Sequence, residues 1–180
     1  MMHVPDPDKR PYPEILPAED GFVWTILHAR PRAEKKIRDH HDQPGVTVFL
    51  PLRRKEHRYG NRVREFWSPL FPGYVFARLP AKDVQALKQN QHVANVLRVV
   101  QQDALVHQLQ QLRRAVQSGE LLDVMPYIQT GKIVRITSGP FTGVEGVVQQ
   151  VEGKTRVMVG IEMIQQSVAM WVDSTAVELV

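Results

Sequence analysis

The side chains that could do chemistry lie in a basic segment and in the aromatic segment that follows it. From Arg30 to Arg64 the chain has 11 Lys or Arg residues against 4 Asp or Glu, a local charge of +7 over 35 positions. Such a cluster attracts polyanions, because local charge density sets the potential more than net charge does. The alternative is an ordinary solvated surface. Nucleic acid is therefore one candidate ligand.

The aromatic segment runs from Phe71 to Phe76. Because side chains alternate along a strand, Tyr74 and Phe76 share one face, and Val75 and Ala77 share the other. One interpretation places both aromatic residues in the core, where strand aromatics are usually found. The other places them with Phe71 on an open face, since the second face is already apolar enough to receive helices. Exposed rings of this kind are good anchors for a protein partner.

Catalytic and metal-binding patterns are missing from the sequence. The seven histidines are scattered, and the one dense cluster, His40-His41-Asp42, makes a poor metal site because adjacent helical residues point in different directions. The chain has no cysteine, which excludes thiol catalysis and thiolate ligands. Nucleophile-elbow, phosphate-loop and dinucleotide motifs do not occur. We expect no enzyme, no metal and no cofactor.

Composition indicates a soluble protein of one ordinary or two small domains. The chain has 180 residues, of which 43% are hydrophobic. It lacks an apolar run of about 20 residues that would cross a bilayer, and its first residues do not resemble a secretory signal. We expect a cytoplasmic monomer without membrane contact.

The first 118 residues predict an antiparallel sheet with helices. Residues 1–20 contain five prolines and read as a flexible tail. Residues 21–118 then alternate between strand and helix patterns in the order β-α-β-β-α-β, followed by an amphipathic helix. The strands are expected at 22–27, 46–50, 69–79 and 93–100, the helices at 33–41, 81–90 and 104–118, and a charged hairpin at 53–64.

The last 60 residues predict a small barrel. Residues 119–130 read as a linker, and residues 131–180 contain five short strands with glycine-bearing turns. Valine and isoleucine recur there at every second position, which favours a stable barrel without a switch to helices. This part has 4 basic against 6 acidic residues, so its charge of −2 makes it the weaker candidate for nucleic acid.

Two segments resemble a known family. The segment from Trp24 to Leu109 resembles the N-terminal (NGN) domain of NusG-type transcription factors, in Trp24-Thr25-Ile26-Leu27-His28, in Phe49-Leu50-Pro51 and in Pro69-Leu70-Phe71-Pro72-Gly73-Tyr74-Val75-Phe76. The segment from Val134 to Val148 is similar to a KOW motif. The chain is therefore identified as a member of the NusG/RfaH family. The implied fold class is α+β, an NGN domain followed by an SH3-like KOW β-barrel.

The resemblance implies two partners for the N-terminal domain. The first is RNA polymerase, whose largest-subunit clamp helices would contact His28, Phe71, Tyr74, Phe76 and Leu97. The second is upstream DNA, especially the non-template strand, since phosphate contact needs only positive charge and reach. The DNA-binding candidates are Arg30, Arg32, Lys35 and Lys36 near the first helix, with Arg58 and Arg62 on the hairpin. Such a factor would suppress pausing and termination.

For the KOW domain the resemblance implies a further partner, either ribosomal protein S10 or termination factor Rho. The contact residues would be Phe141, Met163 and Ile164. The loop 161–167 lacks the Phe and Arg of housekeeping factors and is similar to the RfaH-like paralogues of polysaccharide operons, which favours S10 and operon-specific antitermination. Two alternatives stay open: a general factor that couples polymerase to Rho or the ribosome, and an RNA- or ribosome-binding KOW protein.

Overall fold

The computed structural model describes residues 10–41 and 43–180. Its internal contacts divide the chain into two compact units. The first unit contains Thr25–Leu97 together with the described part of the segment that ends at Glu14. The second contains Ile15–Trp24 and Arg98–Val180.

The first unit is built on a four-stranded sheet and a separate hairpin. Its strands are β1 (Phe22–Ala29, which starts in the second unit), β2 (Thr47–Phe49), β3 (Leu52–Tyr59), β4 (Arg62–Pro69), β5 (Tyr74–Pro80) and β6 (Val93–Leu97). The sheet order is β2-β5-β1-β6, while β3 and β4 pair with each other as a two-stranded ribbon. The predicted hairpin is thereby confirmed, with its turn at Gly60.

One face of this sheet carries the core of the unit. Helix α1 (Glu34–His40) follows β1, and Ala33 and Ile37 pack against Val75 and Ala77 of β5. The alternation predicted for β5 is confirmed on this face. The second predicted helix is a 3-10 helix, Ala81–Gln89. Its apolar contacts come from Val84 and Leu87, which are three residues apart and suit the 3-10 repeat.

The second unit contains one long helix and a six-stranded antiparallel sheet. The elements are α2 (Gln102–Gln117), β7 (Asp123–Pro126), β8 (Ile133–Ile136), β9 (Glu145–Val151), β10 (Lys154–Ile161), β11 (Gln166–Val172) and β12 (Val177–Leu179). The sheet order is β12-β8-β9-β10-β11-β7. The five strands predicted after residue 131 are therefore confirmed as β8 to β12. Short 3-10 helices occupy Glu162–Ile164 and Ser174–Ala176.

The segment expected to be a linker contains strand β7, which pairs with the edge of β11. Met125 and Ile128 cover an apolar cluster formed by Val147, Met158 and Ala169. Four residues ending in proline give too short a pattern to predict a strand, and only the contact with the distant β9–β11 surface stabilises it.

Helix α2 has the amphipathic pattern that the sequence predicts, and its apolar side is buried. The sequence assigns this helix to residues 21–118, whereas here it belongs to the same unit as the C-terminal strands. Two glutamine side chains make the connection: Gln111 Oε1 accepts from the backbone N–H of Glu145 at 2.8 Å, and Gln108 Oε1 accepts from that of Glu162 at 3.3 Å. In the part of the chain that the structure describes, no helix is both long enough and apolar enough to cross a membrane.

The proline-rich tail is only partly as predicted. Residues 1–9 lie outside the described residues. Tyr12 stacks edge-on against Phe49 at 5.6 Å, and its hydroxyl accepts from Leu52 N at 3.1 Å. In the second unit, Ile15 is buried. The sequence did not predict these contacts, because isolated apolar residues between prolines find partners that local periodicity does not reveal.

Candidate functional site

The face of β5 that carries the aromatic residues is more deeply buried than the sequence predicts. Phe76 is 0% exposed and Phe71 is 1% exposed. Phe76 lies opposite Phe49 of β2, with ring centroids 6.1 Å apart, and Tyr12 covers Phe49 in turn. The prediction that Phe71 and Phe76 are accessible anchors is therefore wrong in this structure. Alternation places Phe76 on the predicted face, where it packs with Phe49, while Phe71 lies in the turn that precedes β5.

Tyr74 and His28 form the accessible end of the same face. Tyr74 is half-buried and His28 is exposed, and their rings stack at 5.4 Å with an angle of 22° between planes. Gly73 precedes Tyr74 in the turn that leads into β5 and lies next to the ring of His28. Its φ of +92° suits glycine, and a Cβ there would lie 3.5 Å from His28 Cδ2. The pair is referred to below as the ring pair.

Leu97 lies on the same face, farther along the sheet. In the antiparallel pairing of β1 with β6, Leu97 is opposite Ile26, and Asn95 is opposite His28. Cross-strand partners share a face, so Leu97 is on the ring-pair face and half-buried. Thr25 Oγ1 donates to its carbonyl at 2.9 Å.

An open groove connects His28, one member of the ring pair, to the predicted DNA-binding cations. It is formed by the end of β1, the start of α1, the end of β4 and the turn before β5. Its lining includes His28, Arg30, Arg32 and Lys35, together with Trp67, Ser68 and Pro72. Arg30, Arg32 and Lys36 are exposed and Lys35 is half-buried. The structure thus brings three of the four cations near α1 into one groove with His28.

Glu34 positions the wall of this groove, and sequence reasoning missed it. Its side chain is buried, and Oε1 accepts from the backbone N–H of Gly73 at 2.8 Å. This charge-assisted bond joins the first turn of α1 to the turn that presents Tyr74. The available signal was a single acid in the first turn of a helix, followed directly by two lysines.

The predicted hairpin cations are exposed but do not share a face. Arg58 pairs with Val63 and Arg62 pairs with Tyr59, at adjacent positions of the β3–β4 ladder. Neighbouring pairs in a ladder point to opposite faces. The structure therefore does not bring these two cations together.

The residues predicted to bind a KOW partner are mostly buried. Phe141 and Ile164 have little exposed surface, whereas Met163 is 41% exposed. Met163 and Ile164 lie in the 3-10 turn between β10 and β11, and Gln165 ends this turn in the left-handed region with φ of +54°. Only Met163 presents an accessible apolar side chain from this set.

In the histidine cluster, the side chain of His41 contacts those of His40 and Asn90. His40 and His41 pack edge to face at 4.9 Å, and His41 Nε2 lies 3.0 Å from Asn90 Nδ2. Burial, and then the neighbouring His40, lower the pKa of His41. Asp42 is outside the described residues. Within residues 10–41 and 43–180, no three His, Asp or Glu side chains are grouped in a way that could hold a metal ion.

Comparisons with known proteins match two segments of the chain. A family model described as transcription termination factor nusG matches residues 22–118, and a KOW motif model matches residues 130–159. The transcription termination/antitermination protein NusG of Yersinia pestis is 25% identical over 190 residues, covering 96% of this chain and 97% of that protein. A chain of the MjSpt4:Spt5 complex in conformation B is 16% identical and covers 88% of this chain and 97% of its own length, with a TM-score of 0.32. Because the NusG model alone matches more than half of the residues, this chain belongs to the NusG family of transcription factors.

Proposed function

We propose that this chain is an elongation and antitermination factor that binds RNA polymerase at the ring pair and upstream DNA at the adjoining cations. The observation that supports this proposal is the groove of the first unit, which has His28 at one end and Arg30, Arg32 and Lys35 along its wall. A stacked and accessible ring pair is a suitable protein anchor, and neighbouring cations suit a phosphate backbone.

The proposed mechanism is bridging without covalent chemistry. A protein that contacts the clamp helices of the largest polymerase subunit and the upstream non-template strand at once stabilises the closed clamp. The free energy by which it stabilises the closed clamp equals the difference between its binding free energies for the closed and open states. Pausing and termination require clamp movement, so both decrease. Leu97 would extend the polymerase contact along the ring-pair face, while buried Phe71 and Phe76 would support it from beneath. Lys36 and Arg62 would add to the charge that DNA meets, whereas Arg58 lies on the opposite face of the hairpin from Arg62.

The second unit would recruit the third partner. Met163 is the accessible member of the predicted set, whereas Phe141 and Ile164 are buried and would offer little direct contact. An apolar contact of this type fits ribosomal protein S10 better than Rho, and it fits a factor that acts at particular operons. We propose that the chain works as a cytoplasmic monomer.

Polymerase binding tests the ring pair directly. Replacing Tyr74 by alanine should weaken binding of the full chain to RNA polymerase by about tenfold or more, as expected for an aromatic anchor. Tyr59→Ala is the matched control, because Tyr59 is an exposed tyrosine on the hairpin and does not belong to the ring pair. Affinity would be measured by titration of labelled polymerase, with circular dichroism to confirm folding. A folded Tyr74→Ala variant that binds as tightly as the parent would refute the docking site.

In-vitro transcription tests the cations. The double variant Arg30→Gln/Arg32→Gln should lose most of the read-through that the parent gives at a terminator and at pause sites. The control is Lys82→Gln/Lys88→Gln, which removes the same charge from exposed positions of the Ala81–Gln89 helix. Equal loss in both variants would mean that net charge, rather than the groove, contacts DNA.

A further inference from the structure

The β3–β4 hairpin sorts its side chains into two very different faces. Paired residues share a face and successive pairs alternate, so the register assigns every position. We define the basic face as Arg53, Lys55, His57, Tyr59, Arg62, Arg64, Phe66 and Ser68. The mixed face is Leu52, Arg54, Glu56, Arg58, Val63, Glu65, Trp67 and Pro69.

All of the uncompensated charge of the hairpin is on the basic face. That face has four Lys or Arg residues and no Asp or Glu, a charge of +4. The mixed face has two arginines and two glutamates, a charge of zero. There, Arg54 Nη1 and Glu65 Oε1 lie 3.5 Å apart. A polyanion would therefore be attracted to one side of the ribbon.

Exposed aromatic rings accompany the positive charge on the basic face. Tyr59 is 61% exposed and Phe66 is 45% exposed. The ring of His57 lies 4.4 Å from that of Tyr59. On the mixed face, by contrast, Leu52 is buried and Trp67 packs against the core of the unit. Near the base of the hairpin, the mixed face therefore packs against the core of the unit, whereas the rings of the basic face are exposed to solvent.

Two polar atoms at the base of the basic face lack hydrogen-bond partners among the described residues. They are Arg53 Nε and Ser68 Oγ, and these two residues lie directly opposite each other in the ladder. Arg54 Nε, on the mixed face, likewise lacks a partner among the described residues, so this feature belongs to the base of the hairpin and not to the basic face alone. A buried polar group without a partner is uncommon and calls for an explanation. A bound phosphate would provide acceptors for the two donors of the basic face.

We infer that the basic face binds single-stranded nucleic acid, with bases stacked on Tyr59 and Phe66 and with phosphates on Lys55, Arg62 and Arg64. The pairs that contain the two rings are four residues apart, or about 13 Å along the ribbon, so the face spans more than one nucleotide. Stacking on protein rings requires bases that are not stacked within a duplex. The inference deepens the DNA contact of the proposed function and rests on it only for the cellular role.

Binding of short oligonucleotides to the full chain, without polymerase, tests this surface. Fluorescence anisotropy would measure the affinity of the chain for a 15-nucleotide oligo-dT, for an oligo-U of the same length and for a 15-base-pair DNA duplex. The parent should prefer the single strands to the duplex. The variant Tyr59→Ala/Phe66→Ala should lose roughly tenfold in single-strand affinity for each ring, with little change for the duplex. The difference between oligo-dT and oligo-U then shows whether DNA or RNA is the better ligand.

A matched pair of charge variants tests the assignment of faces. Arg62→Gln and Arg58→Gln remove the same charge from neighbouring positions of the turn region, one on each face. The logarithm of affinity falls as the logarithm of salt concentration rises, and Arg62→Gln should make this slope less steep by about 0.7. That is the value for one phosphate contact on a single strand. Arg58→Gln should leave the slope unchanged.

Three results would overturn the inference: equal effects of the two arginine variants, a parent that prefers the duplex, or no loss in the double aromatic variant. Tyr74→Ala separates this surface from the proposed polymerase site, since it should bind oligonucleotides normally. If the parent did not bind oligonucleotides but bound polymerase normally, the hairpin surface would be rejected and the proposed polymerase site would stand. Circular dichroism would confirm that each variant is folded.

Discussion

Strand β5 and the β3–β4 hairpin are neighbours in sequence, both rich in aromatic residues, yet they treat those residues in opposite ways. In β5, Phe76 is completely buried and Tyr74 is half-buried. In the hairpin, Tyr59 and Phe66 are exposed. Both regions follow the same alternation of side chains. The comparison shows that alternation decides which residues share a face, whereas the layer packed against that face decides what the residues can do.

The position of each strand in its sheet explains the difference. β5 lies between β2 and β1, so both of its edges are paired, and Phe76 packs beside Phe49 on the same face of the sheet. The hairpin strands pair with each other in a sheet of two. An isolated two-stranded ribbon is only marginally stable, and here contacts at its base with Tyr12 and the core hold it.

Truncating one aromatic residue in each region should give the largest contrast. Phe76→Ala removes a fully buried ring and should lower the free energy of unfolding by about 3–5 kcal/mol. Phe66→Ala removes a partly exposed ring and should change it by less than about 0.5 kcal/mol. Urea denaturation of the full chain measures both. If Phe76→Ala were neutral for stability but abolished polymerase binding, Phe76 would be an exposed anchor in solution and the comparison would fail.

A pair of glutamates sharpens the contrast for polar groups. Glu34→Ala leaves the Gly73 N–H without its acceptor in a buried setting and should cost roughly 1–3 kcal/mol of unfolding free energy. Glu56→Ala changes an exposed side chain of the hairpin and should cost under about 0.5 kcal/mol. Both variants would be measured by thermal denaturation and by the polymerase titration described for Tyr74→Ala. Loss of the Glu34 bond should loosen the turn before Tyr74 and therefore also weaken polymerase binding. Equal stabilities of the two variants would show that the Glu34 bond does not hold the turn.

The smallest expected contrast concerns the two turns. Gly60 has a φ of +58°, within the left-handed region that asparagine also adopts, so Gly60→Asn should cost only a few tenths of a kcal/mol. Gly73 has a φ of +92°, outside that region, so Gly73→Asn should cost about 1–2 kcal/mol. Denaturation midpoints of the two variants would measure this. A larger loss at Gly60 would indicate that the hairpin turn is the more constrained one.

Most of the fold follows from local patterns. Period-two alternation predicts β5 and the C-terminal strands, and apolar spacing of three and four predicts α2. The misses share a cause. β7, the 3-10 helix at Ala81–Gln89 and the contacts of Tyr12 are short elements whose stability comes from distant residues, so local propensity carries little signal for them.

The sequence by itself determined most of the element order, the two faces of β5, the concentration of positive charge between Arg30 and Arg64, and the family. These are properties of spacing and residue type, which a chain has before it folds. Only the tertiary structure decided that Phe71 and Phe76 are buried, that His28 shares a groove with Arg30, Arg32 and Lys35, and that Arg58 and Arg62 point apart. Those outcomes depend on contacts such as Phe49 with Phe76 and Glu34 with Gly73, between residues 27 and 39 positions apart. Packing over such separations is a property of the whole unit, and no local period encodes it.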